Sequence, residues 1–134
     1  MRSTEELPGT LVLLRPNDQP ELHNKIGTIV SELLDDNTVI VNLTKSGTLT
    51  LAVTELFVLR DPEEIEEAAK LDETLMPFWN FADIIEVSIL ANSAFKEERI
   101  VAIELSRKDP DVFEYTMKRL DHELGLSRYY QMNR

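Results

Sequence analysis

Apolar residues follow two different rhythms along this chain. Up to about residue 60 they fall in short β-branched runs, and beyond it they recur at helical spacing. Gly9-Thr10-Leu11-Val12-Leu13-Leu14 is a first apolar run, closed by Pro16. Ile26-Gly27-Thr28-Ile29-Val30 and Thr38-Val39-Ile40-Val41-Asn42-Leu43 are the second and third, joined across Asp35-Asp36-Asn37, a cluster that suits a turn. Thr44-Lys45-Ser46-Gly47 forms the next turn, with Gly47 able to take a positive φ. In the run after it, Leu49, Leu51 and Val53 alternate onto one face. Residues 55–59 supply a closing strand. Five short strands in about 50 residues leave a half-exposed sheet unless it curls, which predicts a small barrel over residues 1–60.

At Asp61 the period changes. Asp61-Pro62-Glu63-Glu64 places an Asp cap before a Pro at the first helical position, with Glu where a capping box uses it. The resulting helix breaks at residues 72–77. A second pattern begins near Asn80, with Phe81, Ile84, Ile85, Ser88 and Ile89 on its apolar face. A third covers 94–107 through Phe95, Ile100, Val101, Ala102, Ile103 and Leu105, with Asn92-Ser93 either a break or a join. The last opens at Asp109-Pro110 and carries Phe113, Thr116, Met117, Leu120 and Leu124 along one side, stopping at Gly125. The pattern therefore predicts an α+β chain. An N-terminal five-stranded barrel (1–60) precedes three or four α-helices packed on it (61–126), and residues 127–134 form a tail.

Composition narrows the chemistry. The formal charge of the 134 residues is −11, of which residues 1–60 carry −3 and residues 61–134 carry −8. A field of this sign opposes phosphate backbones and anionic membranes. There is no Cys, hence no disulfide framework, thiolate metal site or Cys nucleophile. No segment approaches the roughly 20 apolar residues of a membrane span, and the start lacks the flank of a signal peptide. These features predict a soluble, cytoplasmic chain.

The strand run Pro8 to Leu14, then Lys25-Ile26-Gly27-Thr28-Ile29-Val30, Val39-Ile40-Val41 and Leu49 to Leu56, resembles a Src-homology-3-like barrel of the KOW or Tudor type. In that class one Gly precedes the first strand and a second opens the next after an exposed loop. The likeness covers about 50 residues. It implies a module of ribosomal or transcription-elongation type that meets RNA or protein through a basic, Gly-rich loop. Here the loop, Arg15 to Lys25, is long, holds two Pro, and sets Asp18 and Glu21 against its cations. A barrel followed by helices is also similar to the CarD-type transcription regulators, whose helices carry basic DNA contacts; this helical part is acidic.

Candidate residues follow from these patterns. For nucleic acid the available cations are Arg15, Lys25 and Lys45, with His23, and stacking aromatics are absent from the strands apart from Phe57, assigned to the core. The two His residues, His23 and His122, have neither a nucleophile elbow nor a ligand set beside them. The four Gly residues build no phosphate loop. An enzyme would need perturbed carboxylates in a pocket, for instance near Glu86 or Glu104. The chain thus calls for no cofactor and no metal.

The densest unusual segment is Leu75-Met76-Pro77-Phe78-Trp79-Asn80-Phe81. Its rings either seal helix onto barrel or present an anchor to a partner, since aromatics and Met dominate interface hot spots. Met76, Phe78, Trp79 and Phe81 are the candidate partner-binding residues. Tyr129 and Tyr130 are a second candidate docking pair. The wide apolar faces over 81–105 predict self-association, most simply a dimer. The leading expectation is a non-catalytic protein-interaction module. The alternative is a transcription- or translation-associated regulator touching RNA or a ribonucleoprotein through the barrel loop.

Overall fold

The computed structural model describes residues 4–44 and 47–126. The chain is mixed α+β and divides into two compact units. The first comprises the described residues up to Val58 and those from Lys118 onward; the second runs from Leu59 to Met117.

The first unit holds strands β1 (Leu11–Leu14), β2 (Ile26–Ile29), β3 (Thr38–Leu43), β4 (Gly47–Ala52) and β5 (Leu56–Leu59), each where the apolar runs predict one. A sixth strand, β6 (Met117–Arg119), joins them, followed by a short helix. The sheet order is β4-β3-β2-β1-β5-β6. Its hydrogen-bonded ladder has β4 and β6 at its two edges and does not close into the expected five-stranded barrel.

Alternation sets the register. β3 and β4 pair from Thr38↔Ala52 to Leu43↔Gly47, so Val39, Val41 and Leu43 share a face with Leu49, Leu51 and Val53. That face joins Val12, Leu14, Ile29, Leu56 and Val58 in one core, closed by Leu7 and Leu120. The turns use the residues read for them: Asn37 (φ 60°) and Gly47 (φ 76°) both take the left-handed conformation.

Two expectations fail here. Phe57 is outside the core, because Leu56 and Val58 take the inward positions of β5 and alternation turns Phe57 the other way. The single last helix is also wrong. It stops at Thr116, the chain becomes β6, and a second helix covers only Leu120–Glu123.

The second unit consists of α1 (Pro62–Leu71), α2 (Phe78–Ala91), α3 (Lys96–Arg107) and α4 (Pro110–Thr116); the helix after β6 is α5. Ile65 and Ala69, one turn apart on α1, meet Ile84 and Val87 of α2, Ala102 of α3 and Val112 of α4. Three hydroxyls inside or beside these helices bond back to their own backbone: Ser88 to the Ile85 carbonyl, Ser106 to that of Ala102 and Thr116 to that of Val112. Asn92-Ser93 is a break between α2 and α3. Asp109 caps α4, accepting from the backbone N–H of Asp111 at 2.8 Å and of Val112 at 3.4 Å. Asp61 occupies the same position before α1, but its side chain makes no capping bond.

The packing around Gly27 shows why the second position of β2 is a glycine. A Cβ there would stand 2.5 Å from Val41 Cγ1, 2.9 Å from Leu43 Cδ2 and 3.1 Å from the Asn42 carbonyl oxygen. No side chain fits without pushing β3 and its core leucine aside. Gly27→Ala is therefore expected to cost about 1–3 kcal/mol of unfolding free energy, measured by urea denaturation followed by circular dichroism.

Candidate functional site

The residues nominated from the aromatic segment divide into two pairs. Met76 and Phe81 are half-buried against the core of the helical unit. Phe78 and Trp79 stand 80% and 68% exposed on the first turn of α2. Phe78 and Trp79 are therefore turned away from the core of the helical unit. The cause is helical geometry: Asn80, Ile84, Val87 and Ser88 take the buried face of α2, which turns positions 78 and 79 to solvent.

Two further leucines extend the strip. Leu71, at the end of α1, is 84% exposed, and Leu75, in the short 3₁₀ turn before α2, is 80% exposed. Four large apolar side chains thus lie open within nine residues. The segment that carries them is pinned at its start by the Tyr115 hydroxyl, which donates to Asp72 Oδ2 at 2.7 Å. That bond raises the pKa of Tyr115, with burial and the charges of Asp72, Glu114 and Asp111 adding to it.

Ile89 is also turned out, at 66% exposure, although its spacing placed it on the apolar face of α2. It lines an open cleft of about 770 Å³ together with Ser88 and Asn92 of α2 and the acidic start of α1, from Asp61 to Glu67. In this stretch Glu64 pairs with Arg60 at 3.0 Å and Glu66 with Lys70 at 2.6 Å, both exposed. Glu63 and Glu67, one turn apart, make no ion pair among the described residues. Counted by unit, residues 59–117 hold 15 Asp/Glu against 6 Lys/Arg, so the helical unit carries −9 of the total −11.

The loop nominated for nucleic acid uses its arginine internally. Arg15 lies over the Phe57 ring, 5.7 Å from its centroid, and its Nε donates to Asn24 Oδ1 at 3.2 Å. Burial lowers its pKa. His23 and Lys25 are exposed on the same loop. Lys45 lies outside the described residues, as do Ser46, Tyr129, Tyr130 and the rest of the tail.

The carboxylates singled out for catalysis do not meet. Glu86 is exposed on α2, and Glu104 pairs with Arg107 at 3.7 Å on α3. His122 is exposed, with Nε2 3.2 Å from Arg119 Nη2. Arg119 also makes a two-pronged bond to the buried carboxylate of Asp121, which raises the arginine's pKa. Among the described residues no group of three His, Asp or Glu side chains is placed to hold a metal ion, and no helix is long and apolar enough to cross a membrane.

No family model, curated protein or solved structure matches the chain.

Two measurements follow from this geometry. Trp79 is the only tryptophan, so emission excited to the red of the tyrosine band reports on the strip alone. It is expected to emit as a hydrated indole and, relative to free N-acetyltryptophanamide, to be quenched more efficiently by caesium than by iodide, because the acidic unit gathers cations and repels anions. The second concerns alkaline stability. The folded pKa of Tyr115 lies above its unfolded value, so its bond to Asp72 contributes fully below about pH 10 and is lost as pH rises through the folded pKa. Tyr115→Phe is expected to cost about 1 kcal/mol at neutral pH, after allowance for solvent screening. The variant should also lack this part of the wild-type decline in stability at alkaline pH, as followed by denaturation from pH 7 to 11.

Proposed function

We propose that this chain is a non-catalytic protein-interaction module whose contact surface is the exposed apolar strip of the helical unit. One observation carries the reading: Leu71, Leu75, Phe78 and Trp79 stand from 68% to 84% exposed within nine residues. Isolated exposed apolar residues are ordinary on protein surfaces, whereas four of them within one short segment make that segment the leading candidate for an interface. Two of the four are aromatic, the type that most often anchors a partner. The bond from Tyr115 to Asp72 holds the start of the segment, and Met76 and Phe81 tie it to the helical core. The strip is therefore presented on a supported backbone, which lowers the ordering cost of binding.

The Src-homology-3-like reading of the sheet belongs to the same proposal. The antiparallel run β1 to β4, with β5 returning to pair with β1, is the order that a sheet curling into a small barrel requires. On this reading the module joins a Src-homology-3-like sheet, its ladder open at β4 and β6, to a helical unit that makes the contact. Internal use of Arg15 and the acidic balance both weigh against nucleic acid as the ligand.

The test is affinity capture from a lysate with and without nuclease, comparing wild type with the double variant Phe78→Ala/Trp79→Ala. Both side chains are exposed, so the variant should keep its stability to within about 0.5 kcal/mol. A nuclease-resistant partner should be lost by the variant, with affinity falling at least about tenfold. Undiminished capture by the variant, or partners that disappear with nuclease, would overturn the proposal.

A further inference from the structure

Along α2 the positions Phe78, Ala82, Ile85 and Ile89 follow one another at intervals of four, three and four residues. That spacing sets them in a single stripe about 16 Å long. Phe78 and Ile89, at its two ends, are largely exposed; Ala82 is exposed, and Ile85 is half-buried on the helical core. At the Ile89 end the stripe opens into the cleft whose other wall is the start of α1, with Glu63 and Glu67 one turn apart. The structure thus offers an apolar seam flanked on one side by carboxylates without ion pairs among the described residues.

From this we infer the class of partner: a basic amphipathic helix. It would seat apolar side chains on Phe78, Ala82, Ile85 and Ile89 and set Lys or Arg against Glu63 and Glu67. The inference rests on the interaction reading given above and adds the chemistry of the occupant. A seam about 16 Å long spans roughly three helical turns, room for a partner helix that presents its own anchors at i, i+3 or i+4, and i+7. Charge selects between occupants. A second copy of this chain would bring another unit of net −9 against the first, a like-charge contact that costs affinity. A basic helix gains from the same field and relieves the repulsion between Glu63 and Glu67.

The test uses the full chain and three synthetic peptides of about 18 residues, long enough to form a helix on contact. One is built of Leu and Lys with Leu at the seam spacing. Another replaces each Lys by Glu, and the third shuffles the Leu and Lys. Trp79 fluorescence and calorimetry read binding. The ordered basic peptide should bind, with affinity falling as salt rises, and the acidic peptide should not. The shuffled peptide should bind at least about tenfold more weakly. Ile89→Ser should weaken the ordered peptide about tenfold, and Glu63→Gln/Glu67→Gln about three- to tenfold. Thermal melts confirm that these exposed-site variants stay folded.

Equal binding of the ordered and shuffled peptides would overturn the inference, as would variants that bind like wild type. So would a dimer in sedimentation that Ile89→Ser dissolves, since the seam would then belong to a second copy. If Phe78→Ala/Trp79→Ala still abolishes capture of a cellular partner while Ile89→Ser is silent, the interaction reading stands and the basic-helix inference falls. If the aromatic double variant captures normally, the interaction reading itself falls.

Discussion

The core under the sheet is completed by a side chain from far along the chain. Leu7 through Val58 supply eleven of its twelve buried members, and Leu120 supplies the last, fully buried. The segment between, Leu59–Met117, is a unit with its own apolar centre. Its two ends must lie close together for the chain to leave the sheet and come back. Arg60 meets that requirement within the helical unit itself. Its backbone N–H donates to the Thr116 carbonyl at 2.9 Å, and its Nε donates to the Met117 carbonyl at 3.1 Å. The architecture follows from this clasp: a sheet unit made of two chain segments, and a helical unit that begins and ends at one place.

How far the sequence discloses such a plan depends on whether the signal is local. The first five strands were legible because β-branched runs are bounded by turn residues whose chemistry is local, Asn37 and Gly47 above all. The four helices of the second unit were legible from Asp-Pro starts and apolar spacing. β6 was not. Met117-Lys118-Arg119 sits inside a helical pattern, and only the edge of a sheet formed far earlier in the chain draws it into a strand. Ile89 and Phe57 failed for a related reason. Periodicity gives the face a residue belongs to, but which face is covered depends on neighbours that periodicity does not name.

The candidate site was half legible. Its aromatic density was plain, and residues 75–81 stood out at once. Exposure was not, because a ring that seals a helix and a ring that awaits a partner look alike in one dimension. Ile89, the cleft and the unequal division of charge emerged only with the fold. The sheet unit is nearly balanced, at −2, and the helical unit holds the remainder. Acidic charge and open apolar surface therefore coincide in the same 59 residues. Charge of one sign around an apolar strip adds a repulsive term to any pairing of that surface with itself, against the apolar area that favours it.

The divided sheet unit also bears on the order of events during synthesis. A ribosome delivers every member of the helical core by Tyr115, but it withholds Leu120 from the sheet core until five residues later. The unit that is second in sequence is thus the first to have all its parts. Without Leu120 the sheet core lacks one of its twelve buried members. A chain truncated just before Leu120 would keep every buried member of the helical core and lack this one member of the sheet core.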